Sequence, residues 1–579
     1  MAARALVALC ALILAAAGVG PAWAGETEEV RWYQAFDPSG VPWRAAAEQN
    51  VEEVFKLHRY FGVTRDEDGR TLRVTRYEKG QPVETRTYRV RDDGGLEPLD
   101  AAEVTAERRG ELAYREHCVS CHGAGRLGVS GPALLPESLE RLKKIEAARV
   151  VREGRPLTQM PPFRFLEEAT LASLVDYLYT PPAVAPTWTE AQMRDSRQVL
   201  RDPATLPPRP VYDADPLNLF VVVEAGDHHL TVLDGDRLVP IHRGPTHFAL
   251  HGGPKYSPDG RHVYLASRDG WVTKYDLYAL APVVEVRVAI NTRNLAVSED
   301  GRYVAVGNYL PRTLVLLDAA DLSPLQVIPV AGTDGTPSRI SAVYQAAPRK
   351  SFVVALKDVP EAWEVRYGEG GFPMRRIALD DVLDDFLFDP SYRYLVGASR
   401  RVQRAQVVDL DSGKAITALD LPGMPHLASG ITWDYRGERV MATPNLREGV
   451  VSVIRLSDWQ LVKRIETLGP GFFLRSHEAT PYAWVDNSFS SDKDAIQVID
   501  KSTLEVVRTL RPSPGKTAAH VEFDRYGRYA LVSVMEVAGG AVVVYDARTL
   551  EEVKRLPMVK PSGKYNVYNK TRLSEGTSH

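Results

Sequence analysis

The chain has 579 residues, 71 Lys+Arg against 75 Asp+Glu for a formal net charge of −4, and 44% hydrophobic residues. That length is too great for one domain, and the apolar content permits several full cores. The slightly negative, evenly spread charge carries no signature of a nucleic-acid partner.

Residues 1–24 read as a secretory signal peptide. Arg4 precedes an apolar run from Ala5 to Ala17, which ends in the small-x-small site Ala22-Trp23-Ala24. The run is too short, and too soon followed by polar sequence, for a stable membrane span. No later stretch approaches transmembrane length, so the mature protein is expected outside the cytoplasm, in the periplasm. Cys10 leaves with the leader.

Residues 25–100 read as a small α+β segment of unknown role. A helix is expected over WRAAAEQNVEEVFKLHRYFG, followed by a hairpin of TLRVTRYE and VETRTYRV joined through Lys79-Gly80-Gln81. It offers no ligand constellation, and His58 is taken as an ordinary surface residue.

Residues 105–182 read as an all-α class I cytochrome c domain. Cys118, Cys121 and His122 spell C-x-x-C-H, the attachment signature of a covalent haem c. Two thioethers would tie the porphyrin, and the adjacent imidazole would ligate iron. Zinc would need a second Cys/His pair, which is absent, and no thioredoxin-like βαβ pattern supports a redox disulfide. A helix, ERRGELAYREHC, leads into the motif, and the loop SGPALLP follows it. TQMPPF then presents Met160 in a turn pinned by Pro161 and Pro162. Met160 is the natural sixth ligand, a soft thioether that raises the potential of an electron-transfer centre. A last helix, EEATLASLVDYLY, carries Leu171, Leu174, Val175 and Leu178 at helical spacing. His117 reads as a surface residue.

After a linker over 183–210, residues 211–579 repeat. Turns such as SPDGR, SEDGR, DPSYR, DYRGE and DRYGR each precede an apolar strand, a polar turn and a second apolar strand, most often ending in Asp. Eight such units spaced as four-stranded blades predict an all-β eight-bladed propeller. A central channel of that width suits a flat macrocycle, and the neighbouring cytochrome points to a second redox centre within it. His251, followed by Gly252 and Gly253, is the leading candidate ligand, since glycines admit close backbone approach. His426 in LPGMPHLASG and His477 in FLRSHEATPY are further candidates. Arg268, Arg293, Tyr309 and Lys357 stand where they would meet ligand carboxylates.

From about Arg108 to its end the chain resembles the cytochrome cd1 family, which joins a haem c domain to an eight-bladed propeller holding haem d1. CVSCHGAGRLG, DADPLNLFVVVEAGDHH, FALHGGPKYSPDGR, INTRNLAVSEDGRYVAVGNYLP and KPSGKYNVYNKTRLSEGTSH carry the likeness. The resemblance implies that His251 is the proximal ligand of the d1 iron and that Arg268 and Arg293 lie near the macrocycle's carboxylates. It also matches His426 to one of two distal histidines of the nitrite-reducing members. The second would fall near Ala347, where this chain has none. Nitrite reduction consumes two protons, so the resemblance turns toward the branch that finishes haem d1 biosynthesis. The implied reaction oxidises dihydro-haem d1 to haem d1, a propionate becoming an acrylate, with electrons passed to haem c. His426 would either ligate iron or accept a proton. Other haem d1 assembly proteins, and nitrite reductase as recipient, are the implied partners. The alternatives are a cytochrome cd1 nitrite reductase, a non-catalytic haem d1 carrier, and a quinoprotein or unrelated propeller dehydrogenase.

Overall fold

The computed structural model describes residues 31–572, apart from short stretches at 50–56, 66–69, 79–80, 100, 129–130, 140–141, 155–159, 183–185, 248–249, 251–252, 369, 400, 402–403 and 422. The leader peptide and the terminal SEGTSH lie outside the described residues.

The first part of the chain is a six-stranded antiparallel sheet. The helix expected from Trp43 to Gly62 is corrected here. Arg44–Gln49 and Arg59–Arg65 are strands, pairing on either side of Arg31–Asp37, while residues 50–56 between them are not described. The hairpin expectation fares better, with Thr71–Glu78 pairing antiparallel with Gln81–Val90. Val63, Leu72, Val74 and Tyr88 form a small buried core on one face. Alternation with period two decides the matter against helix propensity, because Tyr60 and Val63 reach opposite faces only in an extended chain.

The expected cytochrome helices are present at Ala101–His117 and Glu168–Tyr179, with shorter helices at Val119–His122 and Lys144–Glu153. Gly110 is needed where the two long helices meet. A Cβ there would stand 2.1 Å from the Ser173 carbonyl oxygen.

The remainder is a ring of eight four-stranded antiparallel sheets, one extended by a fifth short strand, Gln198–Val199. Chemistry local to each repeat explains why it folds alike. At the entry turn an Asp or Ser side chain takes the exposed amides: Ser257 Oγ accepts from the His262 amide, and Asp524 accepts from the amides of Arg528 and Tyr529. Gly260, Gly301 and Gly527 supply the left-handed residue there, at φ 75°, 70° and 65°. At the second turn the strand-ending aspartates Asp318, Asp500 and Asp546 accept amide hydrogen bonds from the residues that follow. Four positions after Asp234, Asp276, Asp318, Asp500 and Asp546 comes a leucine with φ between 51° and 63°.

The ring closes through the C-terminus. The strand Pro561–Asn566 pairs antiparallel with Leu219–Glu224, so the end of the chain supplies the inner strand of the first blade.

Candidate functional site

In the cytochrome part, helical hydrogen bonds carry on through the motif. The Cys118 amide donates to Tyr114 O at 2.8 Å and the His122 amide to Cys118 O at 2.9 Å. A three-residue step along a helix puts Cys118 and Cys121 on one side, with His122 next to Cys121. Both thiols are half-buried and unpaired, and burial pushes the Cys118 thiol up to about 11. His122 is buried, and Nδ1 lies 2.7 Å from the Pro132 carbonyl, which can only accept. Nδ1 therefore carries the proton and Nε2 keeps its lone pair for a metal. Gly131 backs the ring, since a Cβ there would lie 2.8 Å from His122 Cε1. These features fit a covalent haem ligated by His122. Met160 is half-buried beside Gly154, just past the undescribed residues 155–159.

The propeller holds a cavity at its centre, walled by the inner strands of several blades. Its polar lining includes Arg293, Tyr344, His426, Arg475, His520 and Tyr565, with Phe472 and Phe473 beside them. His426 Nδ1 lies 2.6 Å from the Phe472 carbonyl and so donates to it. Its ring sits 4.0 Å from that of Phe472, and Nε2 is 3.5 Å from the buried Asp385 carboxylate. An imidazole oriented through Nδ1, with a carboxylate facing Nε2 to stabilise the charged form, is an arrangement suited to receiving a proton from a substrate.

Sequence reasoning missed His520, Arg475 and Tyr565. His520 is 1% exposed, has φ 50°, and neither ring nitrogen has a hydrogen-bond partner. Its ring is held between Phe473 and Tyr565, with centroids at 4.7 Å and 5.0 Å. Burial, then the charges of Lys564, Arg475 and Lys570, hold its pKa well below the usual imidazole value. Arg475 Nε is likewise buried without a partner. Two orphaned groups of this kind, facing a cavity walled by aromatic rings, fit a flat guest that carries acceptors and negative charge. Glu522 is the carboxylate that most offsets Lys564, and Lys564 Nζ is tied to the His520 carbonyl and to Ser533.

The other expected residues are distributed as follows. Leu250 and Gly253 line the cavity, and Gly253 has φ 72° where a Cβ would lie 2.8 Å from Tyr565. His251, between them in sequence, lies outside the described residues. Arg268 and Tyr309 are not in the cavity wall. They meet each other at 5.9 Å, with Arg339 at 5.5 Å from the same tyrosine ring. Lys357 is committed to Asp384 at 2.9 Å. His477 is a buried packing residue outside the wall, accepting from the Ala479 amide. Ala347 begins a short 3-10 turn just past the strand that gives Tyr344 to the cavity.

Comparison with known proteins follows the same division. Residues 214–570 match the family described as the cytochrome D1 heme domain, and residues 105–178 match cytochrome c oxidase, cbb3-type, subunit III. The chain is 59% identical over 483 residues to the dihydro-heme d1 dehydrogenase of Pseudomonas aeruginosa, covering 83% of this chain and 98% of that protein. It is 29% identical over 367 residues to Protein NirF of the same organism, covering 60% of this chain and 90% of that one. A solved structure of dihydro-heme d1 dehydrogenase NirN in complex with DHE superposes with a TM-score of 0.77 at 60% identity, over 80% of this chain and 100% of the other.

Proposed function

The chain belongs to the cytochrome d1 haem-domain family, and we propose that it oxidises dihydro-haem d1 to haem d1, one propionate becoming an acrylate. It is an oxidoreductase of haem d1 biosynthesis that carries haem c. The leader-like first 24 residues support a periplasmic location, and the product's recipient is proposed to be nitrite reductase, with other haem d1 assembly proteins as partners.

The reaction removes two hydrogens from adjacent carbons, as two protons and two electrons. Cys118, Cys121, His122 and Met160 would hold haem c, which would take the two electrons singly and pass each on to an external one-electron acceptor. His251 is proposed to bind the substrate's iron. Arg293 and Arg475 are proposed to hold its carboxylates, since a buried guanidinium gains most from a bidentate anionic partner. His426, oriented by the Phe472 carbonyl and coupled to Asp385, is proposed to receive a proton. His520 supplies a second imidazole to the same cavity, its pKa held well below the usual value by burial. The negative substrate would offset Lys564 and Arg475 and so restore part of its basicity.

One observation supports this reading most strongly: a His426–Asp385 couple beside an aromatic-walled cavity that also presents the guanidinium groups of Arg293 and Arg475 and the buried ring of His520. The absence of a histidine at Ala347 argues against nitrite reduction. His426→Ala should bind dihydro-haem d1 but oxidise it at least about a hundredfold more slowly, the usual contribution of a positioned base. Absorption spectra and product analysis of the purified variant would check this. A wild-type rate would remove His426 from the chemistry, and binding of both haem forms without conversion by the wild-type protein would make it a carrier.

A further inference from the structure

The residues that follow the motif, 123–128 and 131–135, face two ways. On one side the Pro132 carbonyl takes the His122 proton, and Gly131 presses on the imidazole. On the other side they meet the propeller. Ala133 and Leu135 are buried against Ile290, with Leu127, Trp188 and Leu310 packed around them. Ile290 stands three residues before Arg293, which lines the central cavity. The axial ligand's hydrogen-bond partner and the cavity wall are thus joined by one short run of packed residues.

Arg287, at the end of the strand Ala281–Arg287, is the polar member of this contact. Its Nη2 donates to the Leu127 carbonyl at 2.6 Å and Nη1 to the Gly128 carbonyl at 3.5 Å. Nε donates to the carbonyls of Asp269 and Ala289 at 2.9 Å and 3.2 Å. Every hydrogen-bond acceptor found for it is a backbone carbonyl. Burial lowers its pKa from the ordinary guanidinium value, yet leaves it cationic. The guanidinium lies 4.8 Å from the Trp188 ring, and Trp188 Nε1 donates back to the Arg287 carbonyl at 2.7 Å. The Ser196 hydroxyl accepts from the Arg287 amide at 3.0 Å, so the linker holds the arginine that holds the loop. A rigid fork of five donors suits two successive loop carbonyls and two from the blade, whereas a lysine ammonium could satisfy only part of that set.

We propose that Arg287 is a positioning residue for electron transfer, fixing the loop that orients His122 against the propeller and so fixing the gap between haem c and the substrate. This rests on the reaction proposed above. The test uses the full-length holoprotein with Arg287→Met and Arg287→Lys. Three quantities are measured: affinity for dihydro-haem d1, the haem c reduction potential without substrate, and the rate of haem c reduction by bound substrate or by ascorbate. Arg287→Met should bind substrate as tightly as wild type, and its reduction by ascorbate should slow only as far as its lower potential requires. Reduction by bound substrate should slow about tenfold or more, since misplacements of about 1 Å carry penalties of that order. Its potential should also fall, because a buried cation beside the loop is gone. Arg287→Lys keeps the charge and should keep the potential, while recovering only part of the rate. A wild-type rate of reduction by substrate in Arg287→Met, or an equal slowing with ascorbate, would overturn the role. Should the wild-type protein fail to oxidise dihydro-haem d1, the enzymatic reading would fail and this role with it, whereas the two outcomes above overturn the role alone.

Discussion

Lys255 carries a charge in a place that resists it. It follows Gly253 and Pro254 of the cavity wall in sequence, and burial, then the neighbouring Arg475, lowers its pKa from 10.5 to about 8. Lys570, held low chiefly by its own burial, also faces it, and the Tyr344 ring lies 5.9 Å away. Among the described groups, Lys255 is thus surrounded by cations and rings rather than carboxylates. A folded pKa below the unfolded value means that the charged form destabilises the protein below about pH 8, and that this cost fades as pH rises toward 10.5. An anionic substrate reverses the preference, because it favours the charged lysine. Affinity for dihydro-haem d1 should therefore be highest below pH 8 and fall above it, by up to about tenfold per pH unit. Spectral titrations between pH 6.5 and 9.5 would record that slope, and Lys255→Met should flatten it. None of this was legible from the residue types. His426 and Arg293 stood out in the sequence because a glycine- or proline-rich loop or a family motif surrounded them. Arg475 and His520 sit in inner strands, Leu474–Ser476 and Ala518–Phe523, in which every residue is buried. Such strands lose the alternation that would mark one side chain as channel-facing.

At the scale of the element, the repeat was readable because each turn encodes itself. The strand-ending aspartate and the left-handed leucine four positions on are a local device, repeated from blade to blade. Leucine in that conformation costs roughly 1–2 kcal/mol. Leu322 nonetheless occupies it, at φ 58° and 0% exposed within a core shared by two blades. Glycine would relieve the strain but empty a site where removing a leucine side chain costs about 3–5 kcal/mol. Packing wins over conformation, and Leu322→Gly should destabilise the propeller by about 2 kcal/mol net. Urea unfolding followed by tryptophan fluorescence would show it as a lower midpoint at an unchanged slope. An unchanged midpoint would mean that the leucine is there for the turn and not for the core. The segment at 43–62 failed to read correctly for the opposite reason. Its Ala- and Glu-rich composition favours helix locally, and only pairing with Arg31–Asp37 and Thr71–Glu78 makes it extended. That information lies elsewhere in the chain. The pairing of Arg31–Asp37 with Arg59–Arg65 in particular joins residues 28 to 32 positions apart and leaves no local trace.

For the molecule as a whole, none of the residues placed in the central cavity wall or at His122 belongs to the N-terminal sheet. Its core is its own, built from residues 33–96. Every residue of the central cavity wall lies between Val223 and Tyr565, and the hydrogen bond that orients His122 comes from Pro132. The cytochrome helices meet through Gly110 and Ser173, neither of which belongs to the sheet. The Pseudomonas aeruginosa relative matches 83% of this chain with 98% of its own length, so a propeller and a cytochrome of this kind exist without a counterpart for the rest. A chain in which the leader is joined directly to Ala101 should therefore still attach haem c covalently. It should also bind dihydro-haem d1 with unchanged affinity and oxidise it with unchanged kcat. Haem staining after denaturing electrophoresis, together with steady-state turnover, would test each part separately. Loss of covalent haem would make the sheet part of cytochrome maturation. Intact haem with lost turnover would mean that the sheet contributes to the path of substrate or electrons, and that the reactive machinery extends beyond residues 101–572.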